Sequence, residues 1–150
     1  MSGQSEPFQL TPIGVARTPW SRGNCPRSMR AAREAGRPAE ILIHARWRPG
    51  LAGLERASHL LLLGWFTNAD RQVLLQQPQH LPAPMGCFAL RSPARPNPIG
   101  VSVVRCLALD VAGGRLAIDA LDWFDATPLL DIKPYYPAND SIPNASVTEP

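Results

Sequence analysis

Two short stretches hold most of the residues able to do chemistry. The first reads Arg91-Ser92-Pro93-Ala94-Arg95-Pro96-Asn97-Pro98-Ile99-Gly100. Each proline fixes φ, removes a donor and disfavours the helical region for the residue before it. Ser92, Arg95 and Asn97 all precede a proline. The sequence therefore predicts a stiff, non-helical loop between two strands, with Arg91, Arg95 and Asn97 needing little ordering on binding. Two guanidinium groups held in this way suit an anionic or carboxylate-bearing ligand. A proline-rich crossover that only shapes the corner of a barrel fits the same composition. In the second stretch Asp122, Asp125 and Asp131 lie close together, with Thr127 among them and Lys133 and Tyr135 beyond. On an extended chain Asp131 and Lys133 share a face. Asp131-Ile132-Lys133-Pro134-Tyr135 would then present an acid, a cation and a phenol at the mouth of a barrel. A surface ion pair beside a half-buried Tyr135 is the plainer alternative.

The rest of the chain must position these groups, and its bulk properties narrow the choice. A length of 150 residues suits one domain with one core. Hydrophobic content of 45% is ordinary for a globular protein, whereas 17 prolines are roughly twice the usual ~5%. That much proline argues for strands and stiff loops over long helices. Lys133 is the lone lysine among 15 basic residues, and net charge is +3. The charge is uneven: residues 1–60 carry nine arginines against four acids, residues 61–150 six basic groups against eight acids. A basic N-terminal half suits a polyanion such as RNA.

Several function classes drop out. Cys25, Cys87 and Cys106 make neither a CxxC pair nor an even disulfide set, so a reduced, cytoplasmic setting is expected. His44, His59 and His80 have no ligand spacing, so no metal site is expected. No signal-peptide pattern opens the chain, and no apolar run approaches the ~20 residues that span a bilayer. No GxGxxG follows a strand, which removes the usual dinucleotide-type fold.

Read in order, residues 1–9 form a flexible N-terminus, 10–145 one domain and 146–150 a tail. Leu10–Arg17 reads as a strand whose Pro12 marks an edge or a start. Ser21–Pro38, with five arginines, is a long loop with a turn of helix at Met29–Glu34. Ala39–Ala45 is a strand, Gly50–Ala57 a turn or one helical turn, and Ser58–Phe66 the central buried strand. His59 reads as a hydrogen-bonded structural residue. Arg71–Leu75 is a short strand or turn, Val101–Val111 a long strand, and Gly113-Gly114 the turn of a hairpin into Arg115–Asp122. Many short strands with little helical period point to an all-β fold, a mainly antiparallel β-barrel with short helical turns.

Gly86-Cys87-Phe88-Ala89-Leu90-Arg91-Ser92-Pro93, Arg95-Pro96-Asn97-Pro98-Ile99-Gly100 and Asp125-Ala126-Thr127-Pro128-Leu129-Leu130-Asp131-Ile132-Lys133-Pro134-Tyr135 resemble the signature motifs of the TsaA-like family. The likeness spans about residues 8–145. That family is typified by the TrmO tRNA methyltransferases, which use S-adenosylmethionine. The resemblance implies the same barrel, S-adenosylmethionine as cofactor, and methylation of N6 on a modified adenosine beside the anticodon of tRNA. It also implies a homodimer. Carried over position by position, cofactor contacts fall on Arg27, Ser28, Thr67, Asn68, Arg91, Val101, Asp125, Ala126, Thr127 and Pro128. Asp131, Lys133 and Tyr135 would orient the target amine or a nearby phosphate. Ser28 stands where the family carries Gln, Thr67-Asn68 where it commonly has His-Gln, and Ala126 where Gly is usual. If position 126 needs φ above zero, alanine costs on the order of 1 kcal/mol there. A barrel that binds S-adenosylmethionine or RNA without turnover, and a small-molecule methyltransferase, are the competing functions.

Overall fold

A computed structural model describes residue 3 and residues 5–148. The expectation of flexible ends at 1–9 and 146–150 therefore falls partly outside the described residues. Strands β1 (Gly14–Arg17), β2 (Ala39–Ile43), β3 (His59–Trp65), β6 (Ile99–Asp110), β7 (Arg115–Ile118) and β8 (Thr127–Pro134) close a barrel in the order β1-β2-β7-β6-β3-β8. Strands β4 (Leu75–Gln76) and β5 (Met85–Gly86) pair in a separate small ribbon. Helices α1 (Met29–Ala35) and α2 (Pro137–Asp140) are short, as are 3₁₀ turns at Ala45–Leu51, Leu54–Arg56 and Cys87–Ala89. All six barrel pairings are antiparallel.

The leucine run of β3 lies between two long partners and is buried only at alternate positions, Leu60 and Leu62, while Leu61 and Leu63 face outward. It pairs with β6 from His59↔Arg105 to Trp65↔Ile99, and with β8 from Leu60↔Pro134 to Gly64↔Leu129. Leu60 and Leu62 point inward to Ile41, Ile43, Val104, Leu116, Ile118 and Leu129, which form the core. Near one end the inner wall carries no side chains, because Gly64 and Gly100 face each other across β3 and β6. A Cβ on Gly64 would lie 2.6 Å from the Trp123 ring, and one on Gly100 would run into Phe66. The two rings fill this space and meet edge to face, with centroids 5.9 Å apart.

β8 contains one irregularity that decides which side chains leave the barrel. Leu63 pairs with Asp131 but Gly64 pairs with Leu129, so Leu130 is an extra, bulged residue. Strict alternation from inward-facing Leu129 would send Asp131 and Lys133 into the core. The bulge instead turns Ile132 inward, where it packs on the core. Asp131 and Lys133 face outward together.

Some local expectations shift. β1 begins at Gly14, and it is no edge, since β2 and β8 flank it. Pro12, lacking a donor, stays outside the ladder. Of the strand or turn expected at Arg71–Leu75, the turn is what forms, since Gln72 N donates to Asp70 Oδ1, and the strand covers only Leu75–Gln76. The hairpin strand after Gly113-Gly114 stops at Ile118, and residues 119–126 cross the barrel end instead. The central loop is preceded by one 3₁₀ turn at Cys87–Ala89 and is irregular thereafter. The helical turn near Met29 is present and extends to Ala35.

Gly64→Ala should destabilise the fold by about 1–3 kcal/mol, since the added methyl meets a buried indole that has nowhere to move. Thermal unfolding followed by circular dichroism should show the midpoint falling by roughly 2–4 °C per kcal/mol. An unchanged midpoint would mean that Trp123 does not rest on Gly64.

Candidate functional site

The antiparallel registers bring distant segments to one end of the barrel. There β1 ends at Arg17, β8 begins at Thr127, β3 ends at Trp65 and β6 begins at Ile99. Thr67 and Asn68 follow β3 directly, and Phe66 N donates to Pro98 O to dock that turn on the proline loop. Asp125–Pro128 lead into β8, while Arg27 and Ser28 lie on the segment running from β1 to α1. The cofactor residues suggested by the resemblance thus share an end of the fold, although they are scattered over a hundred positions of sequence.

The proline loop is held by its own side chains. Arg95 Nη1 donates to Leu90 O at 2.8 Å and to Ser92 O at 3.0 Å. Arg71, which lies over the Trp65 ring, donates to Pro96 O at 2.7 Å and to Asn97 Oδ1 at 3.2 Å. Gln76 Nε2 donates to Ala94 O at 3.0 Å. Arg95 and Asn97 are therefore parts of the scaffold. Arg91 is exposed and makes no hydrogen bond or ion pair among the described residues. One guanidinium is left free on a loop that the other fixes in place.

Asp125–Pro128 is equally constrained. Asp125 N donates to Trp20 O, Ala126 N to Ala16 O and Thr127 N to Phe124 O. Thr18 N donates to Asp125 Oδ1 at 3.0 Å, and Arg17 pairs with the same carboxylate at 3.4 Å. With these amides committed and Pro128 lacking one, the turn offers a ligand chiefly the Asp125 and Ala126 carbonyls. Such a surface accepts from amines and ammonium groups. Ala126 has φ 66°, the left-handed region that glycine occupies freely.

Residues that the sequence reading left without a role lie between these two segments. Trp123 Nε1 donates to Ser102 Oγ, which donates to Asp122 Oδ1, each at 3.1 Å. Burial raises the pKa of Asp122, while the Ser102 hydrogen bond and the nearby charges of Arg33 and Arg91 pull it back. Asp122 is thus a half-buried carboxylate within the field of both Arg33 and Arg91. Its place in the acidic cluster was visible in the sequence; its burial was not. Burial, helped by Asp122, pushes the Cys25 thiol up to about 11, so it stays protonated at neutral pH.

Ser28 has a local task. Its Oγ accepts from Ala31 N at 3.1 Å and caps α1, so this side chain orders the helix. Arg27 beside it is exposed. Val101 points outward and is 47% exposed.

Asp131, Lys133 and Tyr135 are placed differently. Lys133 Nζ lies 3.3 Å from Asp131 Oδ2 on the outer face of the barrel. Leu63 sits between Val101 and Asp131, and Leu61 between Val103 and Lys133, so the ion pair borders the face carrying Val101. Tyr135 N donates to His59 O at the opposite end, roughly 25 Å along the strand from Thr127 at ~3.3 Å per residue. Tyr135 there lines a cleft of about 450 Å³ with Gly53, Arg56 and Tyr136. A second cleft, of about 530 Å³, lies against Arg17, Glu40 and Asp125. Within one chain, then, Tyr135 lies far from Asp125–Pro128, while the Asp131–Lys133 pair flanks the face that carries Val101. Among the described residues no cluster of His, Cys, Asp or Glu could hold a metal, and no helix is long and apolar enough to cross a membrane.

The model of the tRNA-methyltransferase O N-terminal domain matches residues 15–141. The chain belongs to this family. It is 41% identical over 140 residues to a probable S-adenosyl-L-methionine-binding protein of Archaeoglobus fulgidus, covering 93% of this chain and 37% of that protein. It is 35% identical over 148 residues to the tRNA (adenine(37)-N6)-methyltransferase of Escherichia coli, covering 94% of this chain and 63% of the enzyme. The crystal structure of TrmO from Pseudomonas aeruginosa aligns with TM-score 0.74 and 33% identity over 94% of this chain and 61% of that one. The chain thus spans between about a third and two thirds of the length of these relatives. The barrel expected from the sequence is the barrel of the TrmO N-terminal domain.

Two measurements probe the site. Ala126→Gly should raise stability by up to about 1 kcal/mol, the left-handed penalty of roughly 1–2 kcal/mol less glycine's extra unfolded-state entropy of about 0.4–1 kcal/mol. Denaturant titration reads this directly, and a loss of stability would contradict strain at Ala126. The second concerns Asp122, which the folded state protonates more readily than the unfolded chain does. Its contribution to stability therefore falls as pH rises from the ordinary carboxylate value of 3.8 through its raised folded value, and is level above. Asp122→Asn should accordingly gain on the native chain as pH rises above the ordinary carboxylate value of 3.8; a pH-independent difference would rule this out.

Proposed function

We propose that the protein is an S-adenosylmethionine-dependent methyltransferase acting on tRNA, with N6 of the adenosine beside the anticodon as acceptor. The observation that carries this reading is the convergence of Arg91, Thr67-Asn68, Val101, Arg27 and Asp125–Pro128 on one barrel end, in a chain of this family. The residues fit the cofactor's chemistry. Arg91, exposed and without a hydrogen bond or ion pair among the described residues, suits a carboxylate. The Asp125 and Ala126 carbonyls suit an ammonium group or the exocyclic amine of adenine. When bound, S-adenosylmethionine supplies a methyl already activated on a sulfonium. The chain's tasks are then to hold it, to bring an amine into line and to keep the charges fixed. Arg71, Arg95 and Gln76 serve this by fixing the loop that bears Arg91.

The same reading makes the protein a cytoplasmic homodimer. Ile99 and Val101 are 40% and 47% exposed on an outer face shared with Leu61, Leu63 and Val103, an apolar patch of the kind that marks an interface. A second copy seated there would bring its Asp131–Lys133 pair beside the Val101 face of the first. In this arrangement Asp131, Lys133 and Tyr135 orient the acceptor across the two chains. Binding of S-adenosylmethionine without transfer is the second reading, favoured by the Archaeoglobus fulgidus relative's printed description.

Calorimetry with S-adenosylmethionine, with ATP as control, should show saturable binding of the first alone. Arg91→Ala should weaken it roughly ten- to hundredfold, the range for hydrogen bonds to charged groups at about 1.5–3 kcal/mol each. Labelled methyl should then pass to tRNA. Binding without transfer to any RNA would select the second reading, and a folded, ligand-free protein that binds nothing would sink both.

A further inference from the structure

At the ligand end of the barrel, several arginines are tied to the fold and several are not. Arg17 pairs with Asp125, Arg33 donates to Val103 O at 3.0 Å, and Arg71 and Arg95 hold the proline loop. Arg22 is exposed and has no hydrogen bond or ion pair among the described residues. Arg30 meets only Glu34, at 3.6 Å, with the two side chains 89% and 72% exposed. Such a surface pair contributes little and yields to a competing anion. Arg37 lies over the Trp20 ring, 5.3 Å from its centroid, which orders the guanidinium while leaving its N–H groups available.

The segment bearing these three side chains has a fixed path. Trp20 Nε1 donates to Leu121 O at 2.9 Å where the segment leaves β1. Ser28 caps α1, Ala32 is fully buried against the barrel, and Gly36 ends the helix with φ 67°. The arginines are therefore strung along an anchored strip leading to the ligand end. They do not converge on one point, as a pocket for a free nucleotide would require.

Exposed aromatic rings at the same end carry a second, independent indication. Phe124, next to Asp125, is 45% exposed, and Phe88, three residues before Arg91, is 80% exposed. Cationic side chains interleaved with open ring faces match unpaired nucleic acid, whose phosphates meet the arginines and whose splayed bases stack on the rings.

We propose that Arg22, Arg30, Arg37 and Phe124 form a grip for single-stranded RNA beside the ligand end. The arginines contact phosphates and Phe124 stacks on an unpaired base near the methyl acceptor. This rests on the tRNA reading above and deepens it. It lets the barrel hold its RNA with its own residues.

The test uses the full chain and a fluorescent tRNA transcript, with affinity measured over a series of salt concentrations. Three phosphate contacts at ~0.7 each predict that Arg22→Gln/Arg30→Gln/Arg37→Gln makes the slope of log affinity against log salt shallower by about two. Phe124→Ala should weaken binding roughly five- to hundredfold, from ~1–3 kcal/mol per stacked base, and leave the slope alone. Arg46→Gln/Arg56→Gln/Arg105→Gln removes the same charge elsewhere and should leave both affinity and slope near native. An unchanged slope in the first triple variant, equal losses in both triples, or no tRNA binding by the native chain would each overturn the proposal. Calorimetry with S-adenosylmethionine on the same samples separates the two readings. Cofactor binding retained alongside any of those results removes the RNA grip alone, and its absence in the native chain removes the methyltransferase.

Discussion

Where Gly64 and Gly100 face each other across β3 and β6, the Trp123 and Phe66 rings rest on bare backbone. Much of this end of the barrel is keyed to that contact. Trp123 pulls residues 119–126 across the barrel mouth, and its carbonyl accepts from Thr18 Oγ1 at 2.7 Å. Its indole N–H begins the chain through Ser102 to Asp122. Asp122 precedes it and accepts from Ser102; Asp125 follows two residues on and fixes Arg17 and Thr18. Two absent side chains thus set the position of an indole, and the indole sets the position of two carboxylates.

The same end shows a division of labour among like residues. Arg71 and Arg95 give their donors to backbone carbonyls of a loop whose prolines have already removed most of its internal hydrogen bonding. This satisfies groups that would otherwise need water, and leaves Arg91 on a rigid base. The Asp125–Thr127 turn uses its amides on β1 and Trp20, so its remaining polarity is that of an acceptor.

Much of this was legible in the chain. The leucine run of β3, the Gly113-Gly114 hairpin and the proline spacing gave the barrel and its stiff loop, because each depends on local chemistry alone. What could not be read depends on cross-strand register. Asp131 and Lys133 share a face, as alternation requires, but only the bulge at Leu130 decides that the face is the outer one. Tyr135 follows in the same motif as Asp125, yet strand length carries it to the opposite end. Ser28, at a position suggested for the cofactor, caps a helix, a role set by its neighbours. The φ of 66° at Ala126 answers a question the sequence could only pose.

Closure of the barrel also orders events in time. β1 pairs with β8, joining residues 14 and 129, so the ring closes through one of the most non-local contacts in the chain. Such pairings form late, because the entropy of the long loop must be overcome before they return anything. A chain emerging from its N-terminus presents β1 and β3 as open ladder edges until β8 arrives, and open edges invite pairing between molecules. The turn at Asp125–Pro128 arrives on that same strand. The nascent chain is therefore sticky for as long as that end of the barrel is incomplete, and one zippering event cures both.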